Sequence, residues 1–132
     1  MQKIKGRILY VDDDKDTRDM MTALLGLEGY EVVAAQTVAE GLDLATSEDF
    51  DLVLLDWVFP DGTGIELCQQ LRENGTPAPI LFYSGMSYSY EIEKALSAGA
   101  QGFLIKPVDV QELLVNVARL IPSDGASGQR IN

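Results

Sequence analysis

Four short apolar runs of this 132-residue chain each end at a side chain that can bind a cation or an anion. Two runs are followed by carboxylates, a third by a hydroxyl and a fourth by an amine. In chain order these side chains are Asp12 with Asp13, Asp56, Ser84 and Lys106. If the runs are neighbouring parallel strands, their carboxyl ends meet at the edge of the sheet where such folds bind ligands. The spacing therefore predicts one crevice that gathers three carboxylates, a hydroxyl and an amine.

The predicted crevice has the donor groups of a metal and phosphoryl site. Carboxylates at close range repel one another unless a cation lies between them. A set of oxygen ligands without nitrogen or sulfur suits Mg²⁺, which takes a few carboxylates and keeps several waters. Lys106 and Ser84 suit the oxygens of a phosphoryl group, and Gly85 can add a backbone N–H because it has no Cβ. Each aspartate alone is also compatible with a helix cap or a turn, so the joint placement carries the prediction.

The elements that must position this crevice alternate between apolar strands and amphipathic helices. Predicted strands cover residues 7–11, 31–34, 52–55, 79–83 and 102–105. The unbroken run 52–55 is typical of a central strand that is covered on both faces. Five strands that alternate with five helices predict an α/β protein, in which a parallel sheet carries helices on both faces. A barrel of eight such units needs ~250 residues, so length excludes it.

The predicted helices carry apolar stripes and recognisable ends. In the first helix the apolar side is formed by Met20, Met21, Leu24, Leu25 and Leu27. Thr37 and Glu40 have the spacing of a capping box at the start of the second helix. The last helix is predicted to begin after Asp109 and to stop at Pro122. Its inward stripe is formed by Val110, Leu113, Leu114, Val117, Leu120 and Ile121.

Composition excludes several classes of function. The chain has 10 Lys and Arg against 21 Asp and Glu, a net charge of −11, which argues against direct binding to nucleic acid. It has no histidine, which excludes a Ser–His–Asp triad, a His-ligated metal and a phosphohistidine on this chain. The single cysteine, Cys68, excludes an internal disulfide. No apolar run reaches the ~18 residues of a membrane span and no signal peptide is recognisable, so we expect a soluble cytoplasmic protein.

Four segments make the chain similar to the receiver domain of two-component response regulators. They are 10–14, 51–56 with Pro60 and Gly64, 82–85, and 98–100 leading to 103–107. The similarity covers about residues 5–121. It implies a doubly wound, flavodoxin-like (CheY-like) sheet of strand order 2-1-3-4-5. The receiver domain would span residues 1–122, and residues 123–132 would form a polar tail or the start of a linker.

The resemblance implies an acceptor and a metal. Asp56 would accept a phosphoryl group from the phosphohistidine of a sensor histidine kinase or of a histidine phosphotransfer protein. Mg²⁺ would be bound directly by Asp13, by Asp56 and by the backbone carbonyl of Val58, and through water by Asp12. The protein would catalyse only its own phosphotransfer and autodephosphorylation, so it is expected to be a signalling switch rather than an enzyme.

The resemblance also implies a switch and a surface that a partner reads. The phosphoryl oxygens would be bound by Lys106, Ser84 and Gly85. Ser84 would move towards the phosphoryl group, and Phe103 would rotate inward from a more exposed position. This would remodel the surface of the fourth helix, fifth strand and fifth helix, including Tyr88 and Tyr90. The peptide bond between Lys106 and Pro107 would be cis.

Features particular to this chain lie around the acceptor. Trp57 is bulkier than usual for the family and is expected to pack beneath the following loop. Val58 and Met86 lie where the family tunes the lifetime of the phosphoryl group. A phosphatase or mutase of the haloacid-dehalogenase type would need an aspartate at position 58 as its general acid.

Other readings remain open at the level of sequence. A constitutive partner-binding domain and a flavodoxin-like flavin binder are alternatives, although the acidic loop after the first strand disfavours the flavin. The chain is compatible with a single-domain regulator, a phosphorelay intermediate or part of a longer protein. A phosphorylation-dependent dimer is possible for any of these. The kinase, the stimulus and the output are not predicted.

Overall fold

The computed structural model describes residues 3–85 and 88–122. Its strands are β1 (Gly6–Val11), β2 (Tyr30–Ala35), β3 (Leu52–Leu55), β4 (Val58–Phe59), β5 (Gly62–Thr63), β6 (Ile80–Ser84) and β7 (Gly102–Ile105). Its helices are α1 (Lys15–Leu27), α2 (Val38–Ser47), α3 (Gly64–Glu73), α4 (Ser89–Ser97) and α5 (Val110–Leu120). Met86 and the predicted tail 123–132 lie outside the described residues, so the predicted domain boundary stays a prediction.

Five strands form a parallel sheet in the order β2-β1-β3-β6-β7. Because β6 and β7 are the fourth and fifth strands of that sheet, the predicted order and α/β class are confirmed. The short strands β4 and β5 form a separate antiparallel hairpin directly after β3. This hairpin was predicted only as a turn, because strands of two residues are too short to show an alternating pattern.

Two hydrophobic cores lie on opposite faces of the sheet. Successive strand residues point to opposite faces, so Leu9 and Val11 join the core that α2, α3 and α4 cover. Ile8 and Tyr10 join the core that α1 and α5 cover. All four residues of β3 are buried. Because helices cover both faces, the predicted crevice lies at the carboxyl ends of the strands rather than on a face of the sheet.

Some predicted apolar positions do not face the core. Met21 and Leu25 of α1 are buried, whereas Leu27 is 85% exposed and Met20 is also exposed. Residues of a helix are about 100° apart, so Met20 and Leu27, seven positions apart, share a side that is turned away from Met21. Val110 is likewise exposed at the start of α5. The predicted stripes were therefore too wide.

The start of α2 differs from the predicted capping box. The Thr37 side chain accepts a hydrogen bond from the N–H of Glu40, at 3.0 Å, as expected. The Glu40 carboxylate, however, accepts from the N–H of Gln36, at 2.7 Å, rather than from that of Thr37. A complete capping box forms instead at the start of α3, between Thr63 and Glu66.

Two further observations bear on the predictions. The Lys106–Pro107 peptide bond is cis, as the resemblance implied. Among the described residues, none of the helices has the length and apolar character needed to cross a membrane.

Candidate functional site

Three aspartates meet at the carboxyl ends of the central strands. Val11 of β1 pairs with Leu55 of β3, so the residues that follow, Asp12 and Asp56, leave the sheet side by side. One carboxylate oxygen of each of these and of Asp13 lies within 4.8 Å of the others. Asp12 is buried, Asp56 is half-buried and Asp13 is exposed. An oxygen cluster with one open side fits Mg²⁺, which binds a few carboxylates and keeps part of its water shell.

Lys106 closes the inner side of this cluster. Its Nζ lies 3.1 Å from Oδ2 of Asp12 and 3.1 Å from Oδ2 of Asp56, and it sits over the Tyr83 ring at 4.9 Å from the centroid. Burial disfavours the charged amine, but attraction to Asp56 and Asp12 outweighs it, and the pKa of Lys106 is raised from its ordinary value. The amine therefore stays positively charged at neutral pH.

A buried tyrosine completes the surroundings of Asp12. The Tyr10 hydroxyl donates a 2.7 Å hydrogen bond to Oδ2 of Asp12, and both residues are 0% exposed. The other oxygen, Oδ1, accepts from the N–H of Asp14 at 3.0 Å. Burial and the Asp12 carboxylate raise the pKa of Tyr10, so the phenol remains a neutral donor. Tyr10 was not predicted as a site residue, although residues two positions apart along an extended chain point to the same side.

The Asp56 carboxylate is held by its own chain as well as by Lys106. Its Oδ1 accepts a 2.6 Å hydrogen bond from the N–H of Trp57. The Trp57 carbonyl in turn accepts from the N–H of Gly64 at 2.7 Å. The first turn of α3 therefore packs directly against the residue that follows the predicted acceptor.

Ser84 and Gly85 lie at the end of β6, beside the end of β3. The Ser84 residue is buried and Gly85 is exposed. The Ser84 carbonyl accepts from the N–H of Lys106 at 2.8 Å, which ties the ends of β6 and β7 together. The predicted hydroxyl and amine therefore belong to adjoining strand ends at the predicted edge of the sheet.

Trp57, Phe82 and Phe103 form one aromatic cluster beside the predicted acceptor, Asp56. Phe103 stacks on Phe82 at 5.7 Å between centroids, with 7° between the ring planes, and its centroid lies 6.1 Å from that of Trp57. Trp57 is buried, as expected from its size. Phe103 is half-buried and packs against the core, so its ring is inward here rather than in the more exposed position predicted. Its role as a switch stays a prediction.

The predicted partner surface carries exposed aromatic side chains. Tyr88 and Tyr90, at the start of α4, are both exposed and stack on each other with centroids 6.1 Å apart. Ile105 of β7 and Val115 of α5 are also exposed. Exposed apolar side chains therefore lie on each of the elements of the predicted partner surface, whose role stays a prediction.

The β4–β5 hairpin presents Val58 two residues after the predicted acceptor and is anchored to α2. Val58 is exposed. At the tip of the hairpin, the Asp61 carboxylate accepts hydrogen bonds from the N–H groups of Val38, at 2.9 Å, and Ala39, at 3.0 Å. These N–H groups have no partner within α2, because they belong to its first turn, where a negative charge is also favoured. A residue 22 positions away in the chain thus caps that helix.

We expect Asp61→Asn to lower the thermal stability of the protein at neutral pH. Bonds from the N–H groups of Ala39 and Val38 lower the pKa of Asp61 from its ordinary 3.8. The stabilisation is therefore complete above pH 3.8 and is lost as the pH falls through the lower folded-state pKa. Thermal unfolding followed by circular dichroism from pH 7 to pH 2.5 should show the two proteins converging at acid pH. Asp43→Asn, an equal charge change at an exposed position of the same helix, is the control, and equal loss in both variants would contradict the prediction.

A doubly wound sheet carries a cluster of three aspartates and a lysine at the carboxyl ends of its strands. Comparison with known proteins identifies the family that has this fold. The sequence model of the response regulator receiver domain matches residues 8–118. This chain therefore belongs to the response regulator receiver domain family of two-component systems.

Individual relatives agree with this assignment. The response regulator MprA of Mycolicibacterium vanbaalenii is 40% identical over 124 residues, which cover 91% of this chain and 54% of that protein. The chain thus spans about half the length of the curated relatives it matches. A CheY-like receiver domain from Methanospirillum hungatei is 33% identical with a TM-score of 0.85, over 90% of this chain and 94% of that one.

A further solved structure is a CheX–CheY–BeF3–Mg complex from Borrelia burgdorferi. It is 25% identical with a TM-score of 0.82, over 86% of this chain and 87% of that one.

Proposed function

We propose that this receiver domain accepts a phosphoryl group on Asp56, in a Mg²⁺-dependent transfer from a phosphohistidine of a sensor histidine kinase or phosphotransfer protein. The observation that carries the proposal is Lys106, whose amine lies 3.1 Å from both Asp12 and Asp56. A cation in this place can neutralise charge that arrives on Asp56. The similar CheY from Borrelia burgdorferi was solved with BeF3 and Mg²⁺, which supports the same ligand chemistry here.

In the proposed transfer an oxygen of Asp56 attacks phosphorus. The new P–O bond forms as the P–N bond of the phosphohistidine breaks, and the electron pair of that bond returns to the imidazole. Such a transfer depends on in-line positioning and charge neutralisation more than on covalent assistance. Lys106 shifts its pairing from the carboxylate to the phosphoryl oxygens, while Ser84 and the N–H of Gly85 donate hydrogen bonds to them.

The metal would be held by Asp13, by Asp56 and by the Val58 carbonyl, with Asp12 acting through water. This share fits the surroundings of Asp12, whose two oxygens already accept bonds from Tyr10, Asp14 and Lys106. Bound Mg²⁺ supplies positive charge to the phosphoryl oxygens. Because the metal ion would offset the repulsion among the three carboxylates, the site could accept the additional negative charge of the phosphoryl group.

The output is a shift between two populations. Phe103 would exchange between the inward position seen here and a more exposed one, and a phosphoryl group that draws Ser84 towards Asp56 would favour the inward position. The surface of α4, β7 and α5, with Tyr88 and Tyr90, would change with it. A partner or an output domain binds this surface in response to the change. A second copy of the receiver domain could be that partner, which would give a phosphorylation-dependent dimer.

Catalysis in this proposal is limited to phosphotransfer to the protein itself and to loss of that group. Turnover of an outside phosphate ester needs a general acid at position 58, which is Val58 here. Val58 is also exposed beside the acceptor, and an apolar side chain at the approach of water would slow hydrolysis. A cytoplasmic location, which a kinase partner would require, stays a prediction.

Intact mass after incubation with acetyl phosphate tests the proposal. We expect the wild-type protein to gain the mass of one phosphoryl group with Mg²⁺, and to gain none when EDTA removes the metal. Because Trp57 adjoins Asp56, its fluorescence should also respond to Mg²⁺ alone. A folded protein that gains no mass and whose fluorescence ignores Mg²⁺ would contradict the proposal and favour constitutive partner binding.

A further inference from the structure

The hydrogen bond between Tyr10 and Asp12 joins two side chains that are both 0% exposed. The Tyr10 ring packs in the core as one of the largest fully buried side chains, and its hydroxyl is a polar group in a strand whose last four residues are otherwise apolar. It lies where its hydroxyl reaches Oδ2 of Asp12 at 2.7 Å. The same oxygen accepts a bond from Lys106 at 3.1 Å.

Lys106 is therefore shared between two carboxylates. Its amine lies 3.1 Å from Oδ2 of Asp12 and 3.1 Å from Oδ2 of Asp56. A buried carboxylate that lacks donors is unfavourable, so Asp12 attracts Lys106 more strongly when its other donors are weaker. The Tyr10 hydroxyl supplies one of those donors and leaves the amine divided between the two acids.

We propose that Tyr10 is a positioning residue, whose hydroxyl satisfies Asp12 so that Lys106 remains available to the phosphoryl group on Asp56. The inference rests on the proposed function, because it assigns Tyr10 a part in that reaction. Tyr10 touches no reacting atom and acts through Asp12 and Lys106. Without the hydroxyl, Lys106 is drawn towards Asp12, and the charge that develops at Asp56 is less well neutralised.

The test compares Tyr10→Phe with the wild type in phosphoryl uptake from acetyl phosphate at saturating Mg²⁺, followed by intact mass. We expect uptake about tenfold slower, the size of effect that one hydrogen bond to a charged group can have. Tyr30→Phe is the matched control, because Tyr30 is a buried tyrosine of the same core at the opposite end of the sheet. That variant should keep the wild-type rate, and thermal unfolding verifies that both variants fold.

A double-mutant cycle separates positioning from a merely structural role. In a Lys106→Met background, Tyr10→Phe should change the uptake rate by less than twofold, because the residue through which Tyr10 acts is gone. A tenfold effect that persists in this background, or no effect in the wild-type background, overturns the proposal.

A second readout does not need phosphorylation. In the free protein the ¹⁵N resonance of Lys106 Nζ should move in Tyr10→Phe and stay in place in Tyr30→Phe. An unmoved Nζ resonance in Tyr10→Phe overturns the positioning role whatever the wild type does with acetyl phosphate. If that resonance moves and the wild type takes up no phosphoryl group, Tyr10 positions Lys106 as inferred, and the proposed function of Asp56 is the part that fails.

Discussion

Asp56→Asn is expected to abolish phosphoryl uptake from acetyl phosphate, whereas we expect the wild-type protein to gain one phosphoryl group. The amide oxygen of asparagine is a poor nucleophile and the side chain carries no charge. The variant also removes one of the three carboxylates of the cluster, which would weaken the proposed metal site. Intact mass over a time course with Mg²⁺ measures the loss directly, as complete absence of the added mass rather than a slower rate.

The control for this experiment is Asp43→Asn, which makes the same chemical change on the exposed side of α2. It should take up phosphoryl groups at the wild-type rate. Uptake that persists in Asp56→Asn would mean that another aspartate is the acceptor, and peptide mapping would identify it. Thermal unfolding of all three proteins ensures that the loss does not come from misfolding.

Gly64→Ala is expected to be strongly destabilising, by about 3 kcal/mol, the upper part of the range for an overpacked core. A Cβ at this position would collide with the backbone carbonyl of Asp56 and would lie 2.6 Å from Cδ1 of Leu55. The nearest of these atoms belongs to the backbone of Asp56, so it cannot move without displacing the proposed acceptor itself. Against a total stability of roughly 5–15 kcal/mol this is a large fraction.

Urea unfolding of Gly64→Ala beside Gly26→Ala measures this effect against the same chemical change elsewhere. Gly26 lies in α1, and apart from the adjacent residues and the backbone of that helix, no described atom lies within 4 Å of an added Cβ there. Alanine is the better helix former, so Gly26→Ala should stabilise the protein by roughly 0.5 kcal/mol. If the two variants change the free energy of unfolding in the same direction and by a similar amount, the close approach of α3 to Asp56 is not what requires glycine at position 64.

The sheet and the edge at which its chemistry lies were predictable from local patterns. The strands that end before Asp12, Asp56 and Lys106 are recognisable in the sequence, because a strand buried on both faces consists of an unbroken run of apolar residues. The connections of a parallel sheet bring the ends of such strands to one edge. The periodicity of apolar residues was less reliable for predicting which side of a helix faces the core, since Met20 and Leu27 belong to the predicted apolar side of α1 and are exposed.

Contacts between residues far apart in the chain could not be predicted in the same way. The sequence places an acid at position 61 but does not indicate that it caps α2 across 22 residues. Nor does it indicate that Phe103 stacks on Phe82 beside Trp57. These contacts depend on how the elements dock, and docking is decided by the packing of whole faces rather than by neighbours in sequence.

By itself the sequence determined the class of fold, the strand ends that carry the carboxylates and the amine, and the family resemblance that names a role for each. Only the tertiary structure decided that Lys106 lies midway between Asp12 and Asp56, and that Tyr10 donates to the Asp12 oxygen that also accepts from Lys106. The physical reason is one of range. Strand and helix patterns are set within a few residues, whereas the distance between two charged groups is set by the packing of every element between them.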